Sequence, residues 1–128
     1  MKTDPQNKTI LVIDNDLDSR TLLFALFKNT NYPLLCVNSN IEDVKSLNLP
    51  IDLIFIEFYS TFCNYNLIKE VRSLKPKIPL VALTVCAMNE EKAMSIKYGC
   101  DYYISKPFNT KQLLSFTNHI LQKQTVLV

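Results

Sequence analysis

Apolar residues in this chain follow two alternating rhythms. Short continuous runs at residues 9–13, 33–37, 53–56, 79–83 and 102–105 have the length and, in part, the β-branched character of strands. Between them the spacing changes to one apolar residue every three or four positions, which gives a helix one buried face. Leu22, Leu23, Leu26 and Phe27 make such a stripe within residues 18–29, and Ile41, Val44 and Leu47 make a shorter one before Pro50. A third, Leu67, Ile68, Val71 and Leu74, is stopped by Lys75-Pro76. Asn89 is positioned to cap a fourth helix through about residue 98, closed by Gly99, the only glycine in the chain. Asn109 can cap a fifth that carries Leu113, Leu114, Thr117, Ile120 and Leu121.

Five strands alternating with five helices imply right-handed crossovers and an α/β fold. The expected architecture is a three-layer αβα sandwich on a five-stranded parallel sheet, in the flavodoxin-like order 2-1-3-4-5. The uninterrupted apolar run at 53–56 fits a strand covered on both faces. A length of 128 residues suits one domain, 1–128, with a core that needs no disulfide or metal support.

Composition narrows the function by exclusion. A net charge of +2 gives no basic surface for nucleic acid, and no apolar run reaches the length of a bilayer span. Met1-Lys2-Thr3-Asp4-Pro5 lacks the apolar centre of a signal peptide, so the expected location is cytoplasmic. Cys36, Cys63, Cys86 and Cys100 are widely spaced without a Cys-x-x-Cys pair, and His119 is the only histidine, so they read as free thiols rather than a zinc site. His119, in the last helix, reads as solvated or capping.

The chemistry gathers where the runs end: Asp14 with Asn15 and Asp16, then Glu57, then Thr84, then Lys106 before Pro107. In a parallel sheet these C-terminal ends share one crevice. The combination resembles the receiver domain of two-component response regulators, whose pattern is an acidic pair, a phosphoacceptor Asp, a Thr or Ser, and Lys-Pro. The resemblance covers nearly the whole chain, and it departs from the family at two positions of the site and in the loop after the third strand. Glu57 holds the acceptor position, and Asn15 holds the second acidic position. In the family the acidic residues hold Mg2+ for in-line phosphoryl transfer. Here the resemblance leaves Asp14, Glu57 and the backbone carbonyl of Tyr59 as metal positions, with weak Mg2+ binding at most and no cofactor required. Asp16 reads more simply as a helix cap than as a substitute ligand.

The extra methylene of Glu57 moves its carboxylate roughly 1.5 Å outward, a displacement that can cost about 100-fold in a near-attack geometry. The same length brings negative charge toward Lys106 and Thr84, where phosphoryl oxygens lie in an activated family member. Glu57 therefore reads as a mimic of the activated state or as an inert ion-pair partner of Lys106. Thr84 and Tyr103 match the family's switch residues, and the resemblance implies a cis peptide at Pro107 that aims Lys106 inward. Residues 58–66 lack the family's usual Pro and Gly, leaving Asn64 and Asn66 as candidates for left-handed backbone.

The resulting expectation is a stand-alone, non-enzymatic signalling module that works without phosphate. It would bind other signalling proteins through the fourth helix, fifth strand and fifth helix. A sensor histidine kinase or a second copy of the chain would be among its partners; nucleic acid and membrane would not. The alternatives are a conventional phosphorelay receiver and an adaptor with an inert crevice. A third, of another class, is a small phosphohydrolase of the haloacid dehalogenase type, with Asp14 as nucleophile. Asp14-x-Asp16-x-Asp18 also suggests a calcium loop, but Ser19 stands where that loop requires glycine and Ala25 where it requires Glu, so calcium is excluded.

Overall fold

Why the chain alternates as it does is visible in a computed structural model that describes residues 8–58, 64–85 and 88–123. The order is β1 (Ile10–Ile13), α1 (Leu17–Phe27), β2 (Leu34–Val37), α2 (Ile41–Lys45), β3 (Leu53–Phe58), α3 (Tyr65–Leu74), β4 (Leu80–Thr84), α4 (Asn89–Tyr98), β5 (Tyr102–Ser105) and α5 (Thr110–Lys123). All strand pairs are parallel and the sheet order is β2-β1-β3-β4-β5, as the alternation predicts. No described helix is long and apolar enough to cross a membrane.

Because side chains alternate across a strand, each central strand feeds two cores. Leu11, Ile13, Ile54, Ile56, Phe58, Leu80 and Ala82 pack with Val44 of α2 and with Leu67, Ile68 and Val71 of α3. Ile10, Val12, Leu53, Phe55, Val81 and Leu83 pack on the other face with Leu23 and Phe27 of α1 and with Leu113, Ile120 and Leu121 of α5. The parity has a functional consequence. Glu57 follows Leu53 and Phe55 on the α1/α5 face, so a carboxylate is directed into an otherwise apolar layer.

Caps set the helix boundaries. Asp16 caps α1 by accepting the Ser19 N–H at 2.9 Å, Asn40 caps α2, and Asn109 accepts the Gln112 N–H at 3.0 Å at the start of α5. Gly99 closes α4 at φ 138°, a conformation that disfavours any side chain, and a Cβ there would also lie 2.8 Å from that of Arg72.

Four expectations need correction. The α4 cap position falls on Met88, which makes no side-chain cap bond, and Asn89 is already helical. Asn64 is not left-handed; at φ −85° it caps α3 through the Leu67 N–H, Asn66 lies inside that helix, and no described non-glycine residue has positive φ. The buried stripe of α1 is Ser19, Leu23 and Phe27, with Leu22 exposed, because the helix is rotated to turn Ser19 inward. β3 runs on through Glu57 to Phe58 instead of ending at Ile56, since Glu57 finds partners inside the fold.

Candidate functional site

The C-terminal ends of β1, β3 and β4, with the turn after β5, bring Asp14, Glu57, Thr84 and Lys106 to one rim, where Asp14 and Thr84 are fully buried and Glu57 is 3% exposed. Lys106 stands just past β5, before a cis Lys106–Pro107 peptide of the kind the resemblance implies. Its Nζ lies 3.0 Å from Glu57 Oε1, with the Glu57 side chain closed to solvent and that of Lys106 16% exposed. The Lys106 backbone N–H donates to the Thr84 carbonyl at 2.7 Å, tying this turn to β4. Tyr103, half-buried on β5, packs against the core on the α2/α3 side.

Two carboxyl groups this close and this buried do not both ionise readily. Asp14 is the one held as an acid. Burial raises its pKa, and the adjoining Glu57 carboxylate adds to the effect, pushing it up to about 7 despite the opposing hydrogen bond from the Asp16 N–H. Near neutral pH the rim therefore pairs a neutral or partly ionised Asp14 with the Glu57–Lys106 ion pair.

Two of the expected acidic-pocket residues do not join this group. Asn15 is exposed, and its Oδ1 accepts the Ser39 N–H at 2.7 Å, holding the connection after β2. Asp16 is exposed and occupied with capping α1. Tyr59 lies outside the described residues, as do Cys63 and Cys86. Cys36 is half-buried on β2, with burial pushing its thiol up to about 11, and Cys100 is buried. His119 is exposed on α5.

Ser19 belongs to the rim although no motif pointed to it. Its hydroxyl donates to Glu57 Oε2 in a very short contact and accepts from Lys106 Nζ at 3.0 Å. A polar residue four before Leu23 and eight before Phe27, in the one stripe of α1 that faces inward, was the available signal. Arg20, also unforeseen, donates through Nε to the Asp14 carbonyl at 2.6 Å and through Nη2 to Asn38 Oδ1 at 2.9 Å, pinning the loop that carries Asp14. Beside the rim a groove of about 480 Å³ is bordered by Asp16, Ser19, Leu22, Val85, Lys106 and Phe108.

No family model matches the chain. Among curated proteins it is similar to the response regulator SaeR of Staphylococcus epidermidis, 23% identical over 117 residues, and to SaeR of Staphylococcus aureus, 24% identical over 115. These matches take in 91% and 89% of this chain, which spans about half the length of those relatives. Among solved structures, a two-component response regulator from Clostridium difficile superposes with a TM-score of 0.82 at 25% identity, covering 94% of this chain and all of that one. The receiver domain of the sensor histidine kinase PA1611 from Pseudomonas aeruginosa, with a magnesium ion coordinated in its active-site cleft, superposes at 0.76 with 21% identity over 91% of this chain and 98% of that one. Strand order, overall shape and sequence likeness agree: this chain has the fold of response-regulator receiver domains and is similar in sequence to response regulators.

Proposed function

We propose that this receiver domain signals without accepting a phosphoryl group, with Glu57 supplying at the acceptor position the negative charge that phosphorylation would bring. The observation that carries the reading is the buried ion pair, Glu57 Oε1 to Lys106 Nζ at 3.0 Å. A nucleophilic carboxylate must be free to attack in line. This one is committed to an ammonium on one oxygen and a hydroxyl on the other.

The donor set argues the same way. Magnesium favours a near-octahedral shell of hard oxygens with carboxylate charge. Glu57 faces a cation and Asn15 is turned to Ser39, so these residues do not suit the ion as they stand. The same facts count against a phosphohydrolase built on Asp14, which is fully buried, while Asp16 caps a helix.

Readout would pass from Lys106 through the Thr84 carbonyl and β5 to the surface of α4, β5 and α5, where Met88, Ile96 and Tyr102 are exposed. The partner in this reading is another signalling protein. The test is Glu57→Gln, compared with wild type by amide spectra and by affinity for captured partners. The mimic predicts shifts at Tyr103 and Thr84 with altered affinity. A change in stability alone would leave an inert adaptor.

A further inference from the structure

The Glu57–Lys106 ion pair is joined by a third side chain. Glu57 Oε1 meets Lys106 Nζ at 3.0 Å, Glu57 Oε2 takes the Ser19 hydroxyl proton, and the Ser19 oxygen accepts from the same Nζ at 3.0 Å. Each member touches the other two. Resting on the phosphate-independent reading, we propose that Ser19 is the positioning residue of this site: its hydroxyl fixes the Lys106 ammonium against Glu57 and so clamps the end of β5 to α1.

A lysine head on a four-carbon stem is a point charge with three rotatable donors, so one carboxylate oxygen leaves it free to pivot. A hydroxyl supplies a single proton. Once that proton is given to Glu57, the Ser19 lone pair presents a fixed second acceptor to Lys106. The hydroxyl is itself held rigidly. Ser19 is 8% exposed in the first turn of α1, and its N–H is tied to the Asp16 carboxylate at 2.9 Å. Parity in β3 directs Glu57 toward the same layer as α1. Apolar bulk at position 19 would remove the Ser19 hydroxyl from Glu57 Oε2, and the loss of a donor to a buried carboxylate is costly.

The clamp joins distant segments. Lys106 is bonded to Thr84 through its backbone and precedes the cis Pro107 that leads to α5. Holding its ammonium therefore links α1 and β3 to β4 and the β5–α5 turn, the elements from which the signalling surface departs.

The experiment uses the full chain with 15N-labelled lysine and follows exchange of the Lys106 ammonium protons, which persist in spectra only when hydrogen-bonded away from water. Wild type, Ser19→Ala, Ser19→Val, Ser19→Thr and Glu57→Gln are compared, with amide dispersion reporting that each is folded. The expected result is a Lys106 ammonium signal in wild type and in Ser19→Thr. Exchange should be on the order of 10-fold faster in Ser19→Ala and Ser19→Val, the loss of roughly one hydrogen bond. Ser19→Val matches threonine in shape, so the pair isolates the hydroxyl; if valine unfolds the chain, alanine decides.

Wild-type exchange in Ser19→Ala and Ser19→Val would overturn the proposal, as would absence of the signal in wild type or a folded Ser19→Thr that behaves like valine. Glu57→Gln separates the two layers of inference. If it alone releases Lys106, only the role of Ser19 falls; if it too leaves exchange unchanged, the Glu57 reading falls with it.

Discussion

Two charged clusters stand at opposite ends of β4 and β5, and they are built on different principles. At the start of the strands, Arg72 of α3 donates through Nε to the Gly99 carbonyl, through Nη1 to the Lys75, Pro76 and Ile78 carbonyls, and through Nη2 to Asp101 at 2.6 Å. The same Asp101 oxygen accepts the Leu80 N–H at 2.9 Å, so one guanidinium stitches the end of α3, the cap of α4 and the entry to both strands. There one charged donor faces a single carboxylate and four backbone carbonyls. At the other end an acid lies against a carboxylate, and an ammonium is shared between an anion and a hydroxyl. The foot of the sheet joins one guanidinium to carbonyls and a carboxylate, whereas the rim holds an acid whose pKa is pushed up to about 7.

The contrast predicts that the largest loss of stability comes from the Arg72 end. Arg72→Ala should cost about 3 kcal/mol, because several carbonyls and Asp101 lose a charged donor at once. Urea unfolding would measure it, and amide shifts at Tyr103 and Thr84 should stay near wild type. Glu57→Gln should cost less, about 2 kcal/mol, since the Lys106 side chain is 16% exposed and its head can turn outward once the Glu57 charge no longer holds it. Its spectral effect should be the larger of the two, centred on Thr84, Tyr103 and Lys106. Equal spectral effects would erase the distinction between the ends.

A gentler perturbation is pH. Asp14 has a folded-state pKa pushed up to about 7, above its ordinary value of 3.8. Its protonated form is therefore favoured by folding, so the stabilisation is complete below about pH 4 and is lost as pH rises through about 7. Stability should decline by up to about 1.4 kcal/mol per pH unit across that window. Urea midpoints at pH 5, 6, 7 and 8 would record the slope. Asp14→Asn, which keeps the shape and cannot ionise, should flatten it, and Glu57→Gln should weaken it by removing the neighbouring anion. A slope of opposite sign would contradict the assignment of the acid.

Much of this was legible in the sequence because a parallel α/β sheet writes itself in period. Continuous apolar runs gave the strands, the three-to-four spacing of Leu67, Ile68 and Val71 gave a helix, and Gly99 marked an end that only a glycine tolerates. The geometric meeting of Asp14, Glu57, Thr84 and Lys106 followed from strand ends alone. What periodicity could not convey was the satisfaction of polar atoms across the fold. Glu57 read as a strand terminator because a charge inside a strand is costly, and only the partners at Ser19 and Lys106 explain why β3 continues past it. Asn15 looked like a site residue by position, yet its amide serves the loop at Ser39, a contact 24 residues away that no local pattern encodes. Ser19 hid in an apolar stripe for the converse reason: its polarity has meaning only once β3 lies opposite.

Incubation of the full chain with acetyl phosphate and Mg2+, followed by intact-mass measurement, tests the central claim most directly. With Glu57 bound to Lys106 and to the Ser19 hydroxyl, the mass should remain that of the unmodified chain. A stoichiometric gain of one phosphoryl group, mapped to Glu57, would contradict it.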